Sequence, residues 1–247
     1  MPLRDHFRPP LDHRRHWEGM HGGWPMIIVA HLREKLPRGF FAEPKVHSGS
    51  TAEIDVASFE DEREFAAIAG GNPIAGGNHG GVATAVWAPP RPSLSATVEL
   101  PDEDIYEVQV FDERHQCRLV AAVEIVSPRN KDRRAIRTAF VAKCAGLLCA
   151  GVSVTIVDLV TTRVHNLYSD VLEMFEQADS RAGAAPLYAA ACRITRPGEA
   201  CLLESWSHEL AIGQPLPTLP LWLANDLAVP LELESSYEQS CRILGIA

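Results

Sequence analysis

The sequence lacks long apolar runs and closely spaced cysteines. No stretch of it approaches the roughly 18 consecutive apolar residues of a membrane span. Its six cysteines are scattered over 247 residues without a CxxC pair, which excludes a dense disulfide scaffold. Residues 1–23 are basic and broken by proline, without the apolar centre of a secretory signal. We therefore expect a cytoplasmic protein that does not enter a membrane.

The chain also lacks an excess of positive charge. Its formal net charge of -9 at pH 7 argues against a protein that coats nucleic acid through a broad basic surface. One local basic patch is the exception, at residues 128–137, and its candidate phosphate-binding residues are Arg129, Lys131 and Arg133. The alternative is that these cations line a solvent-exposed helix face. The charge pattern therefore predicts local contact with nucleic acid at most.

Hydrophobic periodicity predicts a mixed α/β (α+β) domain. The expected elements are a helix at 25–36, strands at 40–48 and 52–60, a hairpin at 104–127, a helix at 132–149, a strand at 152–160, a hairpin at 186–210 and a closing helix at 231–246. A strand, a helix and a second strand in succession predict a parallel pair with a crossover helix, and therefore a mixed sheet.

The chain is expected to form a single domain over residues 1–247. We place its core at about 24–180, interrupted by a glycine-rich insertion at 60–95, and a C-terminal extension at about 181–247. The end of this extension is too short to bury its own apolar residues, so we expect it to pack on the core.

One carboxylate lies in a strand that is otherwise apolar on both faces. Glu124 is surrounded by valine, alanine and isoleucine, and an ionised carboxylate there requires a cation, a metal or several hydrogen-bond donors. The next helix carries Lys143 inside a predicted apolar stripe of Ile136, Phe140 and Leu147. Because this helix crosses back over the sheet, we expect Lys143 to point toward Glu124.

Three further acids occur in similar settings. Asp55 lies within an apolar strand, and Asp158 ends the strand that follows the crossover helix. Glu107 shares a face with Glu124 only if paired residue numbers in the hairpin sum to an odd value. Structural roles are the alternative for each site: an internal ion pair at Glu124, turn amides at Asp55 and a loop cap at Asp158.

Two or three acids and a lysine on one sheet predict a site that binds a divalent cation and activates water for phosphodiester cleavage. A zinc site formed by His13, His16 and His21 is a weaker hypothesis, because no cysteine lies nearby. His21 is better explained as a packing or capping residue.

The same residues carry a family resemblance. The sequence resembles the bacterial domain-of-unknown-function family numbered 4058, and the resemblance covers nearly the whole chain. The matching segments are Trp17 with His21, LPRGF at 36–40, VEIVSPRNK at 123–131, Lys143, GVSVTIVDL at 151–159, and the closing LPTLPLWL and LELESSYEQSCRILGI. The central segment is also similar to bacterial putative endonucleases with the restriction-endonuclease, or PD-(D/E)XK, fold.

The second resemblance implies a fold, a cofactor and a reaction. It implies a restriction-endonuclease-like core in which Asp55, Glu124 and an early acid, Glu43, bind Mg²⁺. It also implies that Lys143 polarises the scissile phosphate or the attacking water.

Two positions depart from the nuclease motif. Ile54 stands where the motif has proline, and Val126 stands where it has lysine, so Lys143 on the helix would have to supply the missing cation. Two functions therefore stay open: a Mg²⁺-dependent nuclease, and a non-catalytic binding or scaffold protein on a degenerate nuclease-like fold.

Overall fold

The computed structural model describes residues 2–47, 105–196 and 200–246. These residues form the helices α1 (Trp17–Arg33), α2 (Arg134–Cys149), α3 (Leu167–Glu173) and α4 (Leu233–Ile243). The strands are β1 (Phe40–His47), β2 (Ile105–Asp112), β3 (Arg118–Ile125), β4 (Ser153–Asp158), β5 (Tyr188–Thr195), β6 (Leu202–Glu209), β7 (Thr218–Ala224) and β8 (Leu227–Glu232). Asp55, the predicted strand at 52–60 and the glycine-rich insertion at 60–95 lie outside the described residues.

Six strands form one mixed sheet in the order β1-β2-β3-β4-β5-β6. β3 and β4 run parallel and are connected through α2, whereas the other neighbouring strands of this sheet pair antiparallel. The predicted mixed sheet with a βαβ crossover is therefore confirmed. Strands β5 and β6 belong to the C-terminal extension, yet they complete this sheet.

The two faces of the sheet have separate apolar layers. Helices α1 and α4 and the β7–β8 hairpin cover one face, where Trp24, Val123 and Leu221 belong to one buried cluster. Helices α2 and α3 cover the other face around Phe140 and Ile156. The C-terminal segment thus packs on the main core, as its length predicts. No helix in the described ranges is long and apolar enough to cross a membrane.

Helix α1 begins at Trp17, and the prediction that it begins at Pro25 was wrong. Its buried residues Trp17, Met20, Trp24 and Ile28 recur every three or four positions, so the aromatic face extends well before the proline. A proline inside a helix costs about 3 kcal/mol. Burial of two tryptophans and their neighbours is large enough to offset that cost.

The small β7–β8 sheet was only partly anticipated. The segment at 215–223 was expected to pack along the core, but β8 was not predicted at all. Pro220 lies directly opposite Pro230 in this hairpin. Prolines cannot donate to a strand ladder and therefore weaken any strand prediction. Both prolines are tolerated because, in the part of the chain that is described, β7 and β8 pair only with each other.

Tyr237 of α4 anchors the N-terminal segment. Its hydroxyl accepts a hydrogen bond from the backbone N–H of Arg4 at 3.0 Å and lies 2.7 Å from Nε2 of His6. Burial lowers the pKa of His6 to about 4, so the ring is neutral near pH 7 and its Nε2 forms one hydrogen bond with the hydroxyl. One hydroxyl therefore holds two points of the segment that precedes α1.

Replacing Tyr237 with phenylalanine should loosen this anchor. Loss of the hydroxyl removes the hydrogen-bond partner of the Arg4 N–H and of Nε2 of the buried His6, so we expect the free energy of unfolding to fall by about 1 to 3 kcal/mol. Denaturant unfolding measures this change, and amide exchange should quicken at Arg4. Unaltered stability together with unaltered exchange at Arg4 would contradict the role given to the hydroxyl.

Candidate functional site

A register shift in the β2–β3 hairpin brings two acids to one face. The pairing shifts by one residue between Val110 and Phe111, as a β-bulge does. After the shift, Glu107 lies directly opposite Glu124. Without it, Glu107 would lie opposite Val123, and its side chain would be on the face of the sheet that does not carry Glu124. The odd-sum pairing that places Glu107 on the same face as Glu124 is therefore the one observed.

Lys143 joins the two acids. Its Nζ lies 2.7 Å from Oε2 of Glu124 and 3.1 Å from Oε2 of Glu107. The side chains of Glu124 and Glu107 are 3% and 4% exposed, whereas that of Lys143 is 32% exposed. The expected approach of Lys143 to Glu124 is thus confirmed, and the ammonium keeps contact with water.

The partial exposure of Lys143 follows from its place on α2. The buried face of this helix consists of Phe140, Val141, Cys144, Ala145 and Leu148, while Ile136 and Leu147 are only half-buried. The predicted apolar stripe is therefore rotated from the observed one. Lys143 lies at the edge of the buried face, from which its apolar stem reaches the acids.

Glu107 has further partners, but Glu124 does not. Gln109 donates from Nε2 to Oε1 of Glu107 at 2.7 Å, and Nζ of Lys45 lies 3.7 Å from the same oxygen. Oε1 of Glu124 is buried and has no hydrogen-bond partner among the described residues. We call Glu107, Glu124 and Lys143 the carboxylate cluster.

The two carboxyl groups of the cluster differ in their pKa values. Burial raises the pKa of Glu124 to about 8, even though Lys143 acts in the opposite direction. Burial also opposes ionisation of Glu107, but the neighbouring carboxyl group of Glu124 and the charge of Lys143 hold the pKa of Glu107 below its usual value. Near neutral pH the pair therefore carries one proton, on Glu124, and one negative charge, on Glu107.

The other proposed metal ligands lie apart from these residues or outside the described ranges. Glu43 is exposed on β1 and lies opposite Gln109. It makes no hydrogen bond or ion pair with the carboxylate cluster in the part of the chain that is described. Asp55 lies outside that part, so its predicted role stays a prediction.

Lys131 differs from the other cations of the basic patch. Both interpretations of the patch placed it on the surface, but its side chain is fully buried and pairs with Asp158 at 2.8 Å. That expectation of exposure was wrong, because Asp158 at the end of β4 provides a buried partner. Arg133 is exposed, and Arg129 is half-buried.

Asp158 has the structural role that the sequence offered as an alternative. Its Oδ1 accepts from the backbone N–H of Val160 at 3.0 Å, so it caps the loop after β4. Burial raises the pKa of Asp158 to about 6, with Lys131 acting against that rise. The Lys131–Asp158 pair was missed because nothing in the spacing of the two residues indicates contact.

The three histidines do not come together. His21 stacks on Trp17 at 5.1 Å and donates from Nε2 to the carbonyl oxygen of Ile125 at 2.7 Å. It is a packing residue, as expected, while His13 and His16 are exposed. Over residues 2–47, 105–196 and 200–246, no three His, Cys, Asp or Glu side chains are grouped to hold a metal ion.

Comparison with known proteins adds no assignment. No protein-family model, curated protein or solved structure matches the chain. The resemblance to the family of unknown function and to the PD-(D/E)XK nucleases therefore stays a prediction.

Replacing Glu124 with glutamine should flatten the pH dependence of stability. The folded protein keeps the Glu124 proton up to about pH 8, whereas the unfolded chain loses it near the ordinary glutamate pKa of 4.5. The stability that Glu124 contributes is thus complete below its unfolded pKa and is lost as the pH rises through about 8. We expect similar unfolding free energies near pH 5, and Glu124→Gln to be more stable than the wild type by about 4 kcal/mol above pH 9.

The matched control is Glu107→Gln, measured by the same denaturant titrations. Because the pKa of Glu107 is lowered, its ionised form stabilises the fold, and its replacement should give no such gain at high pH. Parallel pH profiles for the wild type and Glu124→Gln would show that Glu124 is not held in its protonated form.

Proposed function

We propose that the carboxylate cluster is a divalent-cation site for phosphodiester hydrolysis, and that the chain is a Mg²⁺-dependent nuclease of the PD-(D/E)XK type. One observation carries the proposal. Two carboxyl groups lie opposite each other on neighbouring strands, and one lysine ammonium is within hydrogen-bond distance of both. Acids that hold a metal beside a lysine that contacts a phosphate are the residue types this reaction requires.

The residues of the cluster fit Mg²⁺ in their chemistry. Magnesium prefers oxygen ligands and keeps several of its waters, so one or two carboxylates are enough to bind it beside a phosphate. Oε1 of Glu124 is a buried carboxylate oxygen without a hydrogen-bond partner among the described residues, and a cation would satisfy it. Glu107 is already held in its ionised form.

Each protein group has a defined part in this proposal. Glu107 and Glu124 would hold the cation, and Glu124 would release its proton to the solvent on binding it. Lys143 is one-third exposed and can turn from the carboxylates toward a phosphate oxygen. A bound Mg²⁺ would supply an activated water and would neutralise charge that develops on the phosphate.

The position of the exposed cations supports a nucleic-acid substrate. Arg133 follows β3 in the chain and is exposed, and Arg134 and Arg137 line a cavity of about 550 Å³ on α2. Such cations can contact the phosphates of a nucleic acid without a broadly basic surface. The acidic net charge limits this contact to the local patch.

A non-catalytic binding or scaffold protein is the second candidate. The observation that favours it is that the ammonium of Lys143 already lies within ion-pair distance of both acids. A structural ion pair of this kind needs no metal ion. The two candidates differ in whether the carboxylates bind a metal.

The two candidates are separated by Mn²⁺ and Mg²⁺ titrations followed by calorimetry, with cleavage of plasmid DNA and single-stranded RNA as a second readout. For the nuclease we expect saturable metal binding that tightens by roughly tenfold per pH unit below about pH 8, because the metal competes with the Glu124 proton. Glu107→Gln and Glu124→Gln should both abolish metal binding and cleavage.

Lys143→Met separates the role of the lysine in cleavage from the role of the acids in metal binding. It removes the competing ammonium, so metal binding should be retained while cleavage is lost. Glu209→Gln replaces an exposed acid on β6 and serves as the control, with both readouts unchanged. Absence of Mg²⁺ binding to the wild type at about 10 mM, both at neutral pH and at about pH 8.5, would overturn the nuclease in favour of the scaffold.

A further inference from the structure

A second cavity lies at the opposite end of β3 from Glu124. Its volume is about 360 Å³, and its wall includes Arg118 of β3, Ser153 of β4, Arg193 of β5 and Trp222 of β7. Arg118 precedes Glu124 by six residues of extended chain, which corresponds to about 20 Å. The cavity is therefore separate from the carboxylate cluster, and we call it the arginine cavity.

Three arginines line the arginine cavity: Arg118, Arg193 and Arg196. Arg193 stacks on the ring of Trp222 at 3.5 Å from its centroid, and it pairs with Glu204 at 2.7 Å. Within the described ranges, no acidic side chain lies within ion-pair distance of Arg118 or Arg196. The wall of the cavity thus carries two positive charges that have no acidic partner in the described part of the chain.

The arginines keep donor groups available. Arg193 uses Nε for Glu204 and Nη1 for the carbonyl oxygen of Asn225, at 2.9 Å. Arg196 uses Nη2 for the carbonyl oxygen of Cys149, at 3.1 Å. Because a guanidinium has five N–H groups, both residues retain donors for a further acceptor.

Two other polar groups of the wall have no partner. Ser153 is 3% exposed, and its Oγ has no hydrogen-bond partner among the described residues. The same holds for Nε1 of Trp222. A hydroxyl and an indole N–H both donate hydrogen bonds, and buried donors of this kind are normally satisfied. Both residues line the cavity, although these two atoms themselves have almost no accessible surface.

We propose that the arginine cavity binds the phosphate group of a small phosphorylated organic molecule. The charges of Arg118 and Arg196, which have no acidic partner among the described residues, match a phosphate monoester, which carries nearly two negative charges near neutral pH. The apolar side chains of Val120, Leu148 and Leu223 complete the wall and would contact the organic part of the ligand. The volume falls within the range of small-molecule sites.

Phenyl phosphate and inorganic phosphate are the probes, titrated separately into the full chain at constant ionic strength and without divalent cations. Calorimetry and tryptophan fluorescence report binding, because Trp222 lies in the wall. We expect saturable binding of phenyl phosphate that is at least roughly tenfold tighter than that of inorganic phosphate, since the ester also contacts the apolar wall.

The double variant Arg118→Met/Arg196→Met should weaken phenyl phosphate binding by roughly tenfold or more. The control Arg33→Met/Arg242→Met removes the same charge from exposed positions outside the cavity and should leave binding unchanged. Both replaced cavity arginines are exposed, and unfolding curves verify that the fold is kept.

Three results would overturn the proposal. They are the absence of saturable phenyl phosphate binding at about 10 mM, equal weakening in both double variants, and inorganic phosphate that binds as tightly as the ester. Binding of a single-stranded oligonucleotide through Arg118 and Arg196 without binding of phenyl phosphate would likewise replace the small ligand with nucleic acid. None of these results depends on metal binding at the carboxylate cluster.

Discussion

The burial of two carboxyl groups beside one ammonium constrains the centre of the described structure. Lys143 can reach both acids only if α2 packs over the part of β2 and β3 that carries them. It also requires the register in which Glu107 pairs with Glu124. A second buried pair, Lys131 with Asp158, holds the turn before α2 to the end of β4. The βαβ unit is thus fixed at both ends by charge, within layers that are otherwise apolar.

The sequence indicated only part of this site. Glu124 and Lys143 were found from their positions in apolar patterns, because a charge in such a pattern requires a partner. Glu107 could not be placed, because its face depends on one bulged residue, and no local pattern marks the bulge. The turn between β2 and β3 has Gln116 and Cys117 at positive φ, residue types that do not predict such a conformation.

The fold, like the site, was predicted where the residues follow a regular pattern and was missed where tertiary packing overrides a local signal. The mixed sheet and its crossover follow from strong alternation and helical spacing, and both were predicted. The start of α1 and the existence of β8 were not, since Pro25 and Pro230 argue locally against the elements that contain them. In both places burial of apolar side chains by tertiary packing outweighs a local preference, which a single sequence does not reveal.

The central claim is that the two carboxyl groups of the cluster share one proton near neutral pH. Titration of the glutamate side-chain carboxyl carbons by ¹³C NMR tests it, with Glu107→Gln and Glu124→Gln to assign the two signals. The account predicts that Glu124 titrates near pH 8 and that Glu107 titrates below its usual range. Titration of both carboxyl groups near the ordinary pKa of about 4.3 would contradict it.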